Sequence, residues 1–83
     1  MKATRYFEEQ VLRKRPYLDH TACLKVLAAP LRREIQADGR IRHWARILDH
    51  RDGKWRILRV VTLEDGETLH NAFYDRDFQD QAP

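Results

Sequence analysis

The sequence predicts an α+β fold, in which two N-terminal helices pack on a four-stranded antiparallel β-meander. The dipeptide Asp-Gly occurs at residues 38–39, 52–53 and 65–66, each time between residues that favour strands. Asp-Gly in this setting is the strongest short-range signal for a β-hairpin, because the turn needs positive φ and these residues adopt it at low cost. Before residue 30, apolar residues instead recur at helical spacing. The 83 residues suit one small domain, which we expect to span 1–83.

Two short helices are predicted, at about residues 4–15 and 19–29. Thr4 and Asp19 are the expected N-caps, because their side-chain oxygens can accept backbone N–H groups of the first helical turn. Pro16 and Pro30 should end the two helices, since a proline pushes the residue before it out of the helical conformation. The connection between the helices is short, so they should pack as a hairpin. The buried face of the second helix is expected to contain Ala22, Cys23, Val26 and Leu27.

The four strands are predicted at about residues 32–37, 40–48, 55–63 and 67–74. If every Asp-Gly is a two-residue loop, directly opposed residues share a face of the sheet, and Arg46 lies opposite Arg59. His43 and Asn71 then fall on the helix-covered face as buried, hydrogen-bonded residues. The apolar residues expected on that face are Ile41, Ala45, Ile47, Leu58, Val60, Leu69 and Phe73. The opposite, open face should carry Arg42, Trp44, Arg46, Arg59, His70 and Tyr74.

Composition limits the classes of function. The formal net charge of +3 is a mild basic bias, compatible with a polyanionic partner. The single cysteine, Cys23, excludes an intramolecular disulfide and a Cys-rich zinc site, and it favours a reducing, cytoplasmic location. No apolar run reaches membrane-spanning length, so we expect no membrane partner. No metal-ligand spacing or phosphate-binding glycine loop occurs, so neither a metal nor another cofactor is predicted.

The open face contains the most specific chemical signal of the chain. Arginine offers a fork of donors that suits phosphate, and tryptophan and tyrosine offer rings on which unstacked bases can stack. His70 and Tyr74 are candidate acid–base groups, and Arg59 is a candidate for stabilising charge on a reacting phosphate. These three would suffice for metal-free cleavage of RNA. The residues expected to bind the RNA are Arg42, Trp44 and Arg46.

Residues 40–44, RIRHW, and 58–76, LRVVTLEDGETLHNAFYDR, resemble a family of small, uncharacterised bacterial proteins. That family is similar in layout to the RelE/ParE-like and BrnT-like toxins of toxin–antitoxin systems. The resemblance implies a RelE-like fold and a metal-independent ribonuclease that acts on mRNA, often at the ribosome, and is neutralised by an antitoxin. It also adds Arg76 to the RNA-binding residues. The residues that match the toxins in type and approximate place are Arg42, Arg59, His70, Tyr74 and Arg76.

Two other functions stay open at this point. The chain could be a non-enzymatic binding module that uses the open face for a protein or an anion, or a homodimer with Trp44 and Tyr74 in its interface. On either view the arginine stems would pack over a second apolar patch. The basic run at residues 13–15 fits either a phosphate contact or a solvated helix end stabilised by the helix dipole.

Overall fold

The computed structural model describes residues 2–79 and has an α+β fold. The first helix, α1, consists of a π-helical stretch, Phe7–Val11, continued by the α-helical turn Leu12–Lys14. Helix α2 is His20–Ala28. The four strands are β1 (Arg32–Ile35), β2 (Ile41–Asp49), β3 (Lys54–Thr62) and β4 (Leu69–Tyr74), and they form one antiparallel sheet in the order β1-β2-β3-β4. The predicted number, order and direction of the strands are confirmed.

Both predicted caps bond the start of a helix, and residues 5–6 lead in helical conformation from Thr4 into the π-helical stretch. The Thr4 hydroxyl accepts the Phe7 N–H at 3.1 Å, and the Asp19 carboxylate accepts the Ala22 N–H at 2.8 Å. Helix α1 ends at Lys14, and Arg15 has left the helical conformation directly before Pro16. Helix α1 is π-helical where a regular α-helix was expected, since the Leu12 N–H bonds the Phe7 carbonyl five residues earlier.

The hydrophobic core lies between the two helices and one face of the sheet. The helices contribute Phe7 and Val11 from α1, and Cys23 and Val26 from α2, and all four are buried. Burial raises the pKa of the Cys23 thiol to about 12, so this cysteine is an inert core residue, as predicted. The main sheet residues of the core are Ala45, Leu58, Val60, Leu69 and Ala72. Within residues 2–79, no helix is long and apolar enough to cross a membrane.

The middle hairpin is longer than predicted. Asp49 pairs with Lys54, so the loop consists of residues 50–53 instead of Asp-Gly alone. The register between β2 and β3 is therefore displaced by two residues from the expected one. A displacement of two preserves the face of every side chain, because side chains alternate with a period of two. Arg59 now lies opposite Trp44 and Arg46 lies opposite Ile57, so the predicted Arg46–Arg59 pair is wrong.

The last hairpin contains a β-bulge that was not predicted. Leu69 pairs with Thr62 and Asn71 pairs with Val61, so His70 is an extra residue in β4. The backbone of Leu69 also bonds the N-terminal segment, since its N–H donates to Lys2 and its carbonyl accepts from Thr4. This second pairing holds the start of β4 where the bulge occurs.

The bulge reverses the face of every later residue in β4. Tyr74 lies opposite buried Leu58, on the helix side of the sheet, whereas the sequence placed it on the open face. Phe73 and Asn71, both predicted on the helix side, lie instead on the open face opposite Arg59 and Val61. The face assignments of Tyr74, Phe73 and Asn71 from the sequence are therefore wrong.

Candidate anion-binding cleft

A strongly cationic concavity lies at the end of β4. Its volume is about 600 Å³. Four segments meet there: the end of α1, the β2–β3 loop with the start of β3, the connection between the helices, and the turn after β4. We call it the arginine–tyrosine cleft after the residues that define it, Arg15, Tyr17, Arg51, Arg56, Tyr74 and Arg76.

The two tyrosines form a stacked pair within the cleft. The rings of Tyr17 and Tyr74 have centroids 5.8 Å apart and planes inclined by only 10°. The guanidinium carbon of Arg51 lies 3.7 Å from the Tyr17 ring centroid, in cation–π geometry. Burial raises the pKa of the Tyr74 phenol, and the nearby Asp49 carboxylate raises it further. The phenol is therefore protonated at neutral pH and can donate a hydrogen bond.

Two of the cleft arginines are held by carboxylates. Asp49, which is only 2% exposed, accepts hydrogen bonds from Arg51 at 2.7 Å and from Arg56 at 2.8 Å. Asp52 binds Arg56 through both carboxylate oxygens, at 2.8 and 2.7 Å. The hydrogen bond from Arg51 lowers the pKa of Asp49, and that from Arg56 lowers the pKa of Asp52. Both carboxylates are therefore ionised at neutral pH and hold the two guanidinium groups in place.

The other two cleft arginines carry uncompensated charge. Among residues 2–79, neither Arg15 nor Arg76 lies within ion-pair distance of a carboxylate. Asp75 also lines the cleft, but its carboxylate binds Trp44 and Arg59 on the opposite face of the sheet. The cleft therefore has an excess of positive charge beside two stacked aromatic rings, which suits an anion with an attached planar group.

The predicted pair of catalytic groups does not meet. His70 lies at the bulge, where its Nδ1 is 3.1 Å from the Thr4 hydroxyl and its ring centroid 5.1 Å from that of Tyr6. It lines a separate depression with Arg59 and Asn71. Burial lowers the pKa of His70, and Arg40 lowers it further, so its imidazole is neutral. Tyr74 lies on the other face of the sheet, so the two side chains do not share the open face as expected.

Three predicted residues form a patch on the open face, which we call the Trp44 patch: Arg42, Trp44 and Arg59, joined by Arg32. Trp44 is 5% exposed, so its ring is not free to stack on a base as the sequence suggested. Its Nε1–H donates to Asp75 at 2.9 Å, and the Phe78 ring stacks on it. Arg59 remains a cation although burial lowers its pKa.

Arg46 lies apart from the other predicted RNA-binding residues. It is exposed and lines a depression at the edge of β2, together with Trp55, which is 63% exposed. Arg76 is the single predicted RNA-binding residue found in the arginine–tyrosine cleft, where it joins Tyr74.

Sequence reasoning missed Tyr17, Arg51 and Arg56 as members of a site. A signal was present, since Arg51 and Arg56 flank Asp52-Gly53 and any hairpin there brings them to one end of the sheet. Arg15 belongs to the basic run considered as a phosphate contact. The face of Tyr74, which completes the cleft, depends on the bulge.

No protein-family model, curated protein or solved structure that was compared with this chain matches it. Within the described part of the chain, no group of three or more His, Cys, Asp or Glu side chains is placed to hold a metal ion.

Proposed function

We propose that this protein binds single-stranded RNA through the arginine–tyrosine cleft. The observation that carries the proposal is that four arginines and a stacked pair of tyrosines line one cleft. Guanidinium groups donate to phosphate oxygens, and aromatic rings stack on bases that are not paired. A single strand offers both groups at every nucleotide, whereas a duplex hides its base faces.

The charge distribution of the cleft supports an anionic ligand. Asp49 and Asp52 hold Arg51 and Arg56 in fixed positions, so these forks are ordered before a ligand arrives, which reduces the entropic cost of binding. Arg15 and Arg76, which have no carboxylate within ion-pair distance among residues 2–79, add positive charge to the same cleft. The RelE-like layout expected from the sequence, with its implied RNA target and antitoxin partner, is part of the same proposal.

Binding is proposed here without cleavage. Metal-free cleavage needs a base to activate the 2′-hydroxyl and an acid to protonate the leaving oxygen. The cleft offers the protonated phenol of Tyr74 as a donor, and no histidine lines its described part. The neutral imidazole of His70 is on the other face of the sheet.

The test compares two double variants for binding of a fluorescently labelled single-stranded RNA. Arg15→Ala/Arg76→Ala removes two charges inside the cleft, and Lys2→Ala/Arg5→Ala removes two exposed charges outside it. Loss of two phosphate contacts should weaken binding about 20-fold at 0.1 M salt, since each contact with a single strand releases about 0.7 counterion. The control should change affinity much less. Equal losses in both variants would show that net charge alone drives binding and would refute the proposed site.

Cleavage is tested separately, with RNA incubated in the presence and absence of ribosomes. We expect intact RNA with the unmodified protein. Cleavage that disappears in Tyr74→Phe would extend the proposal to catalysis in the cleft. Cleavage that disappears in His70→Ala and persists in Tyr74→Phe would place the active site on the open face.

A further inference from the structure

The chain after β4 turns back and covers the Trp44 patch. The turn is built by Asp75, whose Oδ1 accepts the Asp77 N–H at 3.0 Å. The other carboxylate oxygen accepts from Trp44 Nε1 at 2.9 Å and lies 3.6 Å from Arg59 Nη1. The Phe78 ring then stacks on Trp44, with centroids 5.5 Å apart and planes inclined by 29°. We call residues 75–79 the C-terminal segment.

The surface beneath this segment has the components of a nucleotide site. The guanidinium carbons of Arg32 and Arg59 lie 5.6 and 5.5 Å from the Trp44 ring centroid, so the indole is an aromatic platform flanked by cations. The buried Nε atoms of Arg42 and Arg59 donate to no acceptor within residues 2–79. A buried donor without an acceptor is costly, and the two donors belong to the side chains that line the covered depression.

We propose that the C-terminal segment is an internal pseudo-ligand that occupies a second nucleotide-binding site on the open face. The Phe78 ring takes the place of a base on Trp44, and the Asp75 carboxylate takes the place of a phosphate on Arg59. The ligand class is a nucleotide unit of single-stranded RNA. The inference rests on the proposed function for its choice of ligand, and it adds a site that is blocked until the segment moves.

The two sites are neighbours through the turn after β4. Asp75 lines the arginine–tyrosine cleft and also the depression over Trp44, and Arg76 in the same turn lines the cleft. A strand that leaves the cleft past Arg76 reaches the Trp44 patch once the side chains of Asp75 and Phe78 are displaced from Trp44. The closed segment therefore lowers the apparent affinity by the fraction of molecules in which it is open.

The chain contains two tryptophans, so Trp55→Phe leaves Trp44 as the single indole reporter. In this background, Phe78→Ala removes the stacked ring, and Asp75→Asn removes the charge while keeping a residue that forms the same turn. Both variants should increase quenching of Trp44 fluorescence by acrylamide. Phe78→Ala should also bind single-stranded RNA about two- to tenfold more tightly, as expected from loss of one competing aromatic pair. Bound RNA should then protect Trp44 from acrylamide.

The inference is overturned if RNA affinity is unchanged or weaker in both variants, or if bound RNA leaves Trp44 unprotected. Should Phe78→Ala fail to fold, Asp75→Asn is judged by whether bound RNA protects Trp44, because Asp75 also lines the cleft and its charge alone affects RNA affinity. The Arg15→Ala/Arg76→Ala variant in the same background separates this inference from the proposed function. If RNA binding requires Arg15 and Arg76 but is unaffected by changes in the C-terminal segment, the cleft is supported as the RNA site and the pseudo-ligand is refuted. If uridine monophosphate protects Trp44 only in Phe78→Ala and RNA does not bind at the cleft, the nucleotide site at Trp44 is supported and the cleft is refuted.

Discussion

The salt dependence of RNA binding is the sharpest quantitative prediction from the arginine–tyrosine cleft. Each phosphate contact with a single strand contributes about −0.7 to the slope of log affinity against log salt concentration. Arg15 and Arg76 should each contribute the full −0.7 to this slope, because no carboxylate within the described residues neutralises them. The other two cleft arginines already bind carboxylates and should contribute less. The slope should therefore lie between about −1.4 and −2.8.

These limits correspond to an affinity loss of about 7-fold to 50-fold between 50 and 200 mM salt. Fluorescence anisotropy over a salt series measures the slope directly. Arg76→Ala should reduce its magnitude by about 0.7, whereas Tyr17→Ala should weaken binding without changing it, because stacking releases no counterions. A slope near zero, or one that Arg76→Ala leaves unchanged, would refute the assignment of the cleft as a phosphate site.

Three further predictions concern stability. Gly53 has a φ of +72°, and a Cβ atom there would meet nothing within 4 Å. Gly53→Ala should therefore lower the free energy of unfolding in urea by about 1 kcal/mol through backbone strain alone, and Gly53→Asn should lower it less. Burial lowers the pKa of the His43 imidazole from 6.5, so as the pH falls the imidazole is protonated in the unfolded chain before it is protonated in the folded protein. The free energy of unfolding should therefore decrease as the pH falls below about 6.5, and a stability that stays constant from pH 7 to 5 would contradict this. Asp49→Asn replaces the carboxylate that binds Arg51 and Arg56 with a neutral amide, so thermal unfolding should occur at a lower temperature. The control Glu9→Gln, at an exposed ion pair, should have little effect.

The turns show what local sequence can and cannot establish. Asp-Gly correctly located every hairpin, and all three glycines have positive φ. It did not set the loop length, because the aspartate carboxylate bonds the N–H two residues on, as Asp52 does with Lys54. That hydrogen bond is compatible with loops of several lengths. In the middle hairpin the predicted faces of the side chains are still correct, because the register is displaced by an even number of residues.

The bulge in β4 could not be predicted from neighbouring residues. It lies beside Leu69, which is opposite Thr62 in β3 and whose backbone N–H and carbonyl bond Lys2 and Thr4, two residues far from it in sequence. Periodicity and turn signals act over a few residues, so a constraint between the two ends of the chain escapes them. The predicted caps Thr4 and Asp19, in contrast, depend on contacts only three residues long, and both are present.

The same limit applies to the candidate sites. The sequence identified arginines and aromatic rings as the chemical signal, and composition alone shows them. Which arginines are neutralised depends on carboxylates brought close by the fold. Arg42 lies 3.3 Å from Glu34, across the first hairpin, and Arg59 lies 3.6 Å from Asp75, beyond the end of β4. Pairing of this kind reduces the positive charge that a basic side chain offers to a ligand.

One extra residue in β4 decides which aromatic ring faces which arginine. With the bulge, Tyr74 stacks on Tyr17 near Arg51, and Phe73 lies beneath Arg59 at 5.0 Å. In a regular strand these two neighbours would exchange faces, since side chains alternate. The phenol would then lie on the open face, and the cleft would lose half of its stacked pair. The proposed RNA site therefore depends on the extra residue in β4 as well as on the Asp52-Gly53 hairpin, which brings Arg51 and Arg56 to the same cleft.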